Sequence, residues 1–126
     1  AADAAVATGA PIESIVKSLV FAGDGRPIVV MVPGNSRADT ARVAAAAGCE
    51  RVKVVSGDAV ERLTGFPPGG VAPFPLPGIE TILIEQALFG HEVVWIGAGS
   101  PRHMAALAPS DLARLARARP APLTVE

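Results

Sequence analysis

"SIVKSLVFAGDGRPIVVMVPG", residues 14–34, is the stretch on which the fold class turns. Two runs rich in Val, Ile, Leu and Phe flank a Gly-Asp-Gly turn at Gly23 to Gly25. That is the pattern of two strands joined by a tight hairpin. Successive side chains of a strand point to opposite faces, so Ile15, Lys17, Leu19 and Phe21 should share one face. Lys17 then stands among bulky apolar neighbours, an unusual setting for an ammonium group.

Downstream, "SRADTARVAAAAGC" (36–49) reads as the clearest helix. Ser36 is its expected N-cap, with Asp39 three residues on as a capping-box-like partner and Gly48 as its stop. "RVKVVS" (51–56) predicts a short strand, and "SGDAVERLTG" (56–65) a brief helix between Ser56 and Gly65. A Pro/Gly-rich stretch then runs from Gly65 to Gly78. Two further strands are expected in "IETILIE" (79–85) and "EVVWIGAG" (92–99). "PSDLARLARA" (109–118) predicts a last helix, capped by Ser110, with Leu112 and Leu115 on one face. "PLTVE" (122–126) is either a closing strand or a tail.

Upstream, "AADAAVATGAPIES" (1–14) resembles the last turns of an alanine-rich helix ended by Gly9, so some native N-terminal residues are expected to be missing. A hairpin followed by strands alternating with helices predicts an α/β (α+β mixed) fold, a mixed sheet with helices packed on it.

The composition narrows the function classes. A chain of 126 residues fits one domain spanning 1–126. Half its residues are hydrophobic, while the aromatics are four Phe, one Trp and no Tyr, so Val, Ile, Leu and Ala must build the core. Eleven Lys plus Arg against 12 Asp plus Glu argue against a protein that coats DNA, though not against one that grips a few phosphates. One cysteine, Cys49, leaves no internal disulfide and no cysteine metal site, and a reducing cytoplasmic compartment is the expectation. No apolar run approaches the roughly 20 residues of a spanning helix, and the start lacks a secretory leader, so no membrane partner is expected.

The familiar catalytic motifs are weak or absent. There is no phosphate loop of the G-x-x-x-x-G-K-[ST] kind. "GAGSPR" (97–102) imitates a dinucleotide fingerprint without its third glycine. A nucleotide-binding α/β protein that uses it is therefore a distant alternative. His91 and His103 lack partners at metal-ligand spacing. Cys49, at a helix end, reads as a small buried apolar residue. The arginines of "ARLARARP" (113–120) read as a solvated helix face. What remains is a lysine in an apolar strand and a bare, stiff loop, "GGVAPF" (69–74).

"IVKSLVF", "LTGF", "GGVAPF", "TILIE" and "GAG", in this order and spacing, resemble the YbaK/prolyl-tRNA-synthetase-associated family of aminoacyl-tRNA editing domains. The resemblance implies a curved, barrel-like mixed sheet flanked by helices. It also implies a free-standing deacylase that removes Ala or Cys from proline tRNA without a cofactor. The mischarged tRNA 3′ end would be its partner, with prolyl-tRNA synthetase as a second. Lys17, Gly69, Gly70, Val71 and Ala72 would carry the catalysis, and Pro73, Phe74, Glu85, Gly97 and Gly99 would bind substrate. In the loop, the amides of Gly70, Val71 and Ala72 are candidate donors to the oxyanion. Gly69 and Gly70 allow close approach, and Pro73 stiffens the loop before substrate arrives. Glu85 departs from the resemblance, because many members carry Asp there. A non-catalytic module of the same shape, binding tRNA or an amino acid, is the alternative reading.

Overall fold

The hairpin forms as its sequence dictates. β1 (Val16–Gly23) and β2 (Arg26–Pro33) pair antiparallel from Val16↔Pro33 to Gly23↔Arg26. Between them Asp24 (φ 52) and Gly25 (φ 75) both take positive φ. A two-residue turn of this kind matches the twist of the flanking strands. The structure, a computed structural model, describes residues 2–56, 58, 62, 79–97 and 104–125.

β3 (Val52–Val54) adds antiparallel to the outer edge of β1, and β4 (Thr81–Glu85) adds parallel to β2. β7 (Arg119–Ala121) lies parallel to β4, so the strand order is β3-β1-β2-β4-β7 in a mixed sheet. β5 (Val94–Gly97) and β6 (Met104–Leu107) form a separate antiparallel ribbon. A parallel bridge between Ile15 and Trp95 links that ribbon to the start of β1. The helices α1 (Ala2–Thr8), α2 (Thr40–Ala47) and α3 (Pro109–Ala116) accompany the strands.

Both faces of the sheet are covered, which explains why β2 is an almost unbroken apolar run and not an alternating one. Val20, Val29, Met31 and Ile84 pack on one face against Leu88, Ile96 and Leu112. Phe21, Val30, Val32 and Leu83 pack on the other against Val43 of α2 and Leu123. The core is aliphatic, as the composition requires.

Four details differ from the sequence reading. α2 begins at Thr40, and its cap is Asp39, whose carboxylate accepts from the amides of Ala41 and Arg42. Ser36 lies outside the helix because residues 37–39 pair with the end of the chain: Ala38 bridges Thr124, and Asp39 N donates to Leu123 O at 2.8 Å. The end of the chain therefore contributes a bridge at Thr124 and not a full strand. α3 has Pro109 at its first turn and no side-chain cap, so Ser110 does not serve as one, and Leu112 is buried while Leu115 is 47% exposed. β6 and β7 went unforeseen, since "MAAL" and "RPA" have little of the β-branched character that marks a strand. Helix ends at Gly9 and Gly48 stand as read, each with φ near +70. Of the helix expected over 56–65, Ser56, Asp58 and Arg62 fall within the described residues; Asp58 and Arg62 are helical, and Ser56, the expected cap, is not.

Candidate functional site

Lys17 sits on the same face of β1 as Leu19 and Phe21, and these three form the floor of an open groove of about 510 Å³. Residues 37–40 make one wall, and Val54 and Val125 stand at the rim. The half-buried Lys17 ammonium donates to the carbonyl oxygen of Ser36 at 2.8 Å. Desolvation of a cation is costly, and a backbone carbonyl offsets part of that cost without cancelling the charge. Of the groove's acidic side chains among the described residues, Asp39 is already engaged. Its Oδ1 accepts from Ala41 N and Arg42 N, and its Oδ2 lies 3.8 Å from Arg42 Nε. The groove is therefore positive in character, with Lys17 and Arg37 as its cations.

The wall is pinned from several directions. Val125 N donates to Arg37 O at 2.8 Å, and Asp39 N to Leu123 O. Glu85 in turn holds residues 123 and 124. Its Oε1 accepts from Leu123 N at 2.7 Å, Thr124 N at 3.2 Å and Thr124 Oγ1 at 3.1 Å. Its Oε2 accepts from Ala87 N at 2.7 Å. Burial alone would raise the Glu85 pKa, but the donors on Leu123, Ala87 and Thr124 outweigh it and hold the carboxyl below its ordinary value. Lys17 pairs across the sheet with Val32, and extending the β2–β4 register by one residue brings Glu85 beside Val32. Lysine and glutamate thus flank one row of the sheet, and each ties down part of the same wall.

The outer edge of β1 carries two different neighbours. β3 pairs with Phe21 to Gly23, and Val55 N donates to Val20 O, so the chain reaches Ser56 alongside Leu19. At the other end Trp95 bridges Ile15 in parallel, two residues before Gly97 and Lys17 respectively. The chain at Ser56, alongside Leu19, and at Trp95, alongside Ile15, therefore meets β1 on either side of Lys17.

The aminoacyl-tRNA editing domain family matches residues 1–115. The chain belongs to this family. Editing domains of this kind are hydrolases of the aminoacyl-tRNA ester. The proline–tRNA ligase of Nitratidesulfovibrio vulgaris (strain Hildenborough) is 28% identical over 88 residues, which are 70% of this chain and 15% of the ligase. That of Limosilactobacillus fermentum is 31% identical over 101 residues, 76% of this chain and 18% of the ligase. The chain thus spans under a fifth of the length of these ligases. EbsC of Enterococcus faecalis, a candidate Cys-tRNA(Pro)/Cys-tRNA(Cys) deacylase, is 29% identical over 114 residues, covering 89% of this chain and 69% of EbsC. A crystal structure of a candidate trans-editing enzyme for prolyl tRNA synthetase superposes with a TM-score of 0.87 at 33% identity, covering 98% of this chain and 78% of that one.

Within this editing domain, Lys17, Glu85 and Gly97 are the expected site residues that the structure describes. Gly69, Gly70, Val71, Ala72, Pro73, Phe74 and Gly99 lie outside the described residues, as does His103. Gly97 ends β5 opposite Met104. Glu85 is 4% exposed, and both its oxygens are taken by the chain's own donors. Cys49 is half-buried instead of buried, and burial, followed by the charge of Asp24, pushes its thiol up, away from the reactive thiolate. His91 closes the short 3-10 turn after β4 through its backbone. Arg37 was missed by sequence reasoning, because no local pattern marks a residue whose place depends on pairing with the end of the chain. Among the described residues no helix is long and apolar enough to cross a membrane, and no three His, Cys, Asp or Glu side chains group as metal ligands would.

Proposed function

We propose that this chain is an aminoacyl-tRNA deacylase that clears proline tRNA mischarged with a small amino acid, Ala or Cys, in concert with prolyl-tRNA synthetase. The observation that carries the reading is Lys17: a half-buried ammonium on a groove floor, held by a neutral carbonyl, in a strand met at Leu19 by the chain after β3 and at Ile15 by β5. The family match and the proline-tRNA names of the relatives support the same substrate class.

In this reaction water adds to the ester carbonyl, and the bond between the acyl carbon and the ribose oxygen breaks. The ribose oxygen takes the proton, which frees the amino acid and the tRNA. The ester is already activated, so positioning and charge stabilisation supply most of what is needed. Lys17 faces the carbonyl oxygen as negative charge builds on it. The amides of Gly70, Val71 and Ala72 act as fixed donors to the same oxygen, each worth about 3 kcal/mol. The neighbouring ribose hydroxyl orients the water. Pro73, Phe74, Gly97 and Gly99 border the aminoacyl group. A pocket sized for small residues is useful here, because one methylene is worth only about 1–3 kcal/mol in the synthetase's own site.

The test is a deacylation time course on proline tRNA charged with Ala, Cys, Ser or Pro, with wild type and Lys17→Ala. Rapid release of one small amino acid, reduced at least a hundredfold in the variant, is the expected result. Spontaneous rates from all four by folded wild-type protein would sink the reading and leave the non-catalytic binding module.

A further inference from the structure

Arg37 is the second cation of the groove, and nothing in the proposed chemistry uses it. Its side chain is exposed and makes no ion pair or hydrogen bond among the described residues. Its backbone, by contrast, is fixed on both sides. Lys17 holds the carbonyl of the preceding residue, Ser36, at 2.8 Å. Val125 N holds the Arg37 carbonyl at 2.8 Å, and the Ala38–Thr124 bridge follows. An exposed guanidinium is thus presented from a hydrogen-bonded backbone, at the residue that follows the carbonyl Lys17 holds. Both cations line the same groove, so an anion entering it is attracted by both. The nearest acid, Asp39, is committed to the α2 cap and to Arg42.

We propose that Arg37 is a phosphate-binding residue of this groove, receiving the phosphodiester that precedes the terminal nucleoside of a charged RNA 3′ end while Lys17 serves the ester. The assignment rests on the deacylase reading for the identity of the RNA. The planar fork of arginine matches two phosphate oxygens at once, which a lysine ammonium cannot do. A single-stranded end held by one such contact needs no basic surface, in keeping with the chain's net charge of −1. Arg37 therefore discriminates between substrates that carry this phosphate and those that lack it.

The experiment compares wild type, Arg37→Ala and Arg37→Lys on alanyl-tRNA(Pro) and on 3′-O-alanyl-adenosine, which keeps ester and ribose but has no phosphate. Arg37→Ala should lose about tenfold to a hundredfold in kcat/KM on the tRNA, chiefly through KM. Its penalty on alanyl-adenosine should be at least tenfold smaller, and Arg37→Lys should recover part of the loss. Equal penalties on both substrates, or none on either, overturn the assignment. Binding of uncharged tRNA(Pro), followed by fluorescence anisotropy across a salt series, reads the same contact without catalysis. Arg37→Ala should lower the salt slope by about 0.7, the value for one phosphate on a single strand. If wild type hydrolyses neither substrate, the deacylase reading falls. The salt series then decides the phosphate contact by itself, and an unchanged slope overturns it.

Discussion

Replacing Glu85 with alanine removes one acceptor from four donors, and the cost can be worked out from the structure. Leu123 N, at 2.7 Å, is buried and left without a partner, which costs about 2 kcal/mol. Ala87 N and the two Thr124 donors are part-buried, so water can replace the lost carboxylate, and each contributes roughly 0.5–1 kcal/mol. Removing the carboxylate also removes the cost of keeping a charge buried, which offsets part of this sum. The net expectation is a loss of about 3 kcal/mol for Glu85→Ala. Glu85→Gln keeps the shape but turns an NH2 toward one set of donors, so about half that loss is expected. Urea unfolding measures both, as a lower midpoint at unchanged slope. Amide exchange adds a spatial check, because Leu123 and Thr124 should be selectively deprotected. A loss under about 0.5 kcal/mol for Glu85→Ala would refute the reasoning, since that is the range of an ordinary surface substitution.

The same carboxyl makes stability pH-dependent. Its folded pKa lies below its unfolded value, so the contribution is complete above the unfolded value, ordinarily about 4.3, and is lost as pH falls through the folded one. The gap in unfolding free energy between wild type and Glu85→Gln should therefore be widest near neutral pH and narrow on acidification. Asp39→Ala deletes the α2 cap and should cost about 1 kcal/mol by the same unfolding assay. Gly23→Ala would put a Cβ 2.8 Å from both Cys49 Sγ and Val52 Cγ1, so about 1–3 kcal/mol should be lost to overpacking.

What was legible in the sequence followed from local rules. The β1–β2 hairpin could be read because Asp24 and Gly25 suit positive φ, and the end of α2 because Gly48 takes a left-handed cap. Its beginning could not, because Asp39 displaces Ser36 through pairing with residues more than eighty positions away. Lys17 stood out by its neighbours, yet its partner, a backbone carbonyl, leaves no trace in side-chain identity. Glu85 was read as a substrate contact on resemblance, whereas its four donors come from the turn after β4 and from the end of the chain. Arg37 shows the same limit from the other side. Its own residue type is ordinary, and its setting is entirely tertiary.

The wall of the groove has a further consequence, in the order of folding. The hairpin closes over two residues and the helices close locally, but residues 37–39 meet 123–125 only across nearly the whole chain. Contacts of such separation bear the largest loop-closure entropy and tend to form late. The sheet can therefore assemble before its groove exists. In a slowly folding or partly opened molecule, the binding wall should be the first part lost and the last regained.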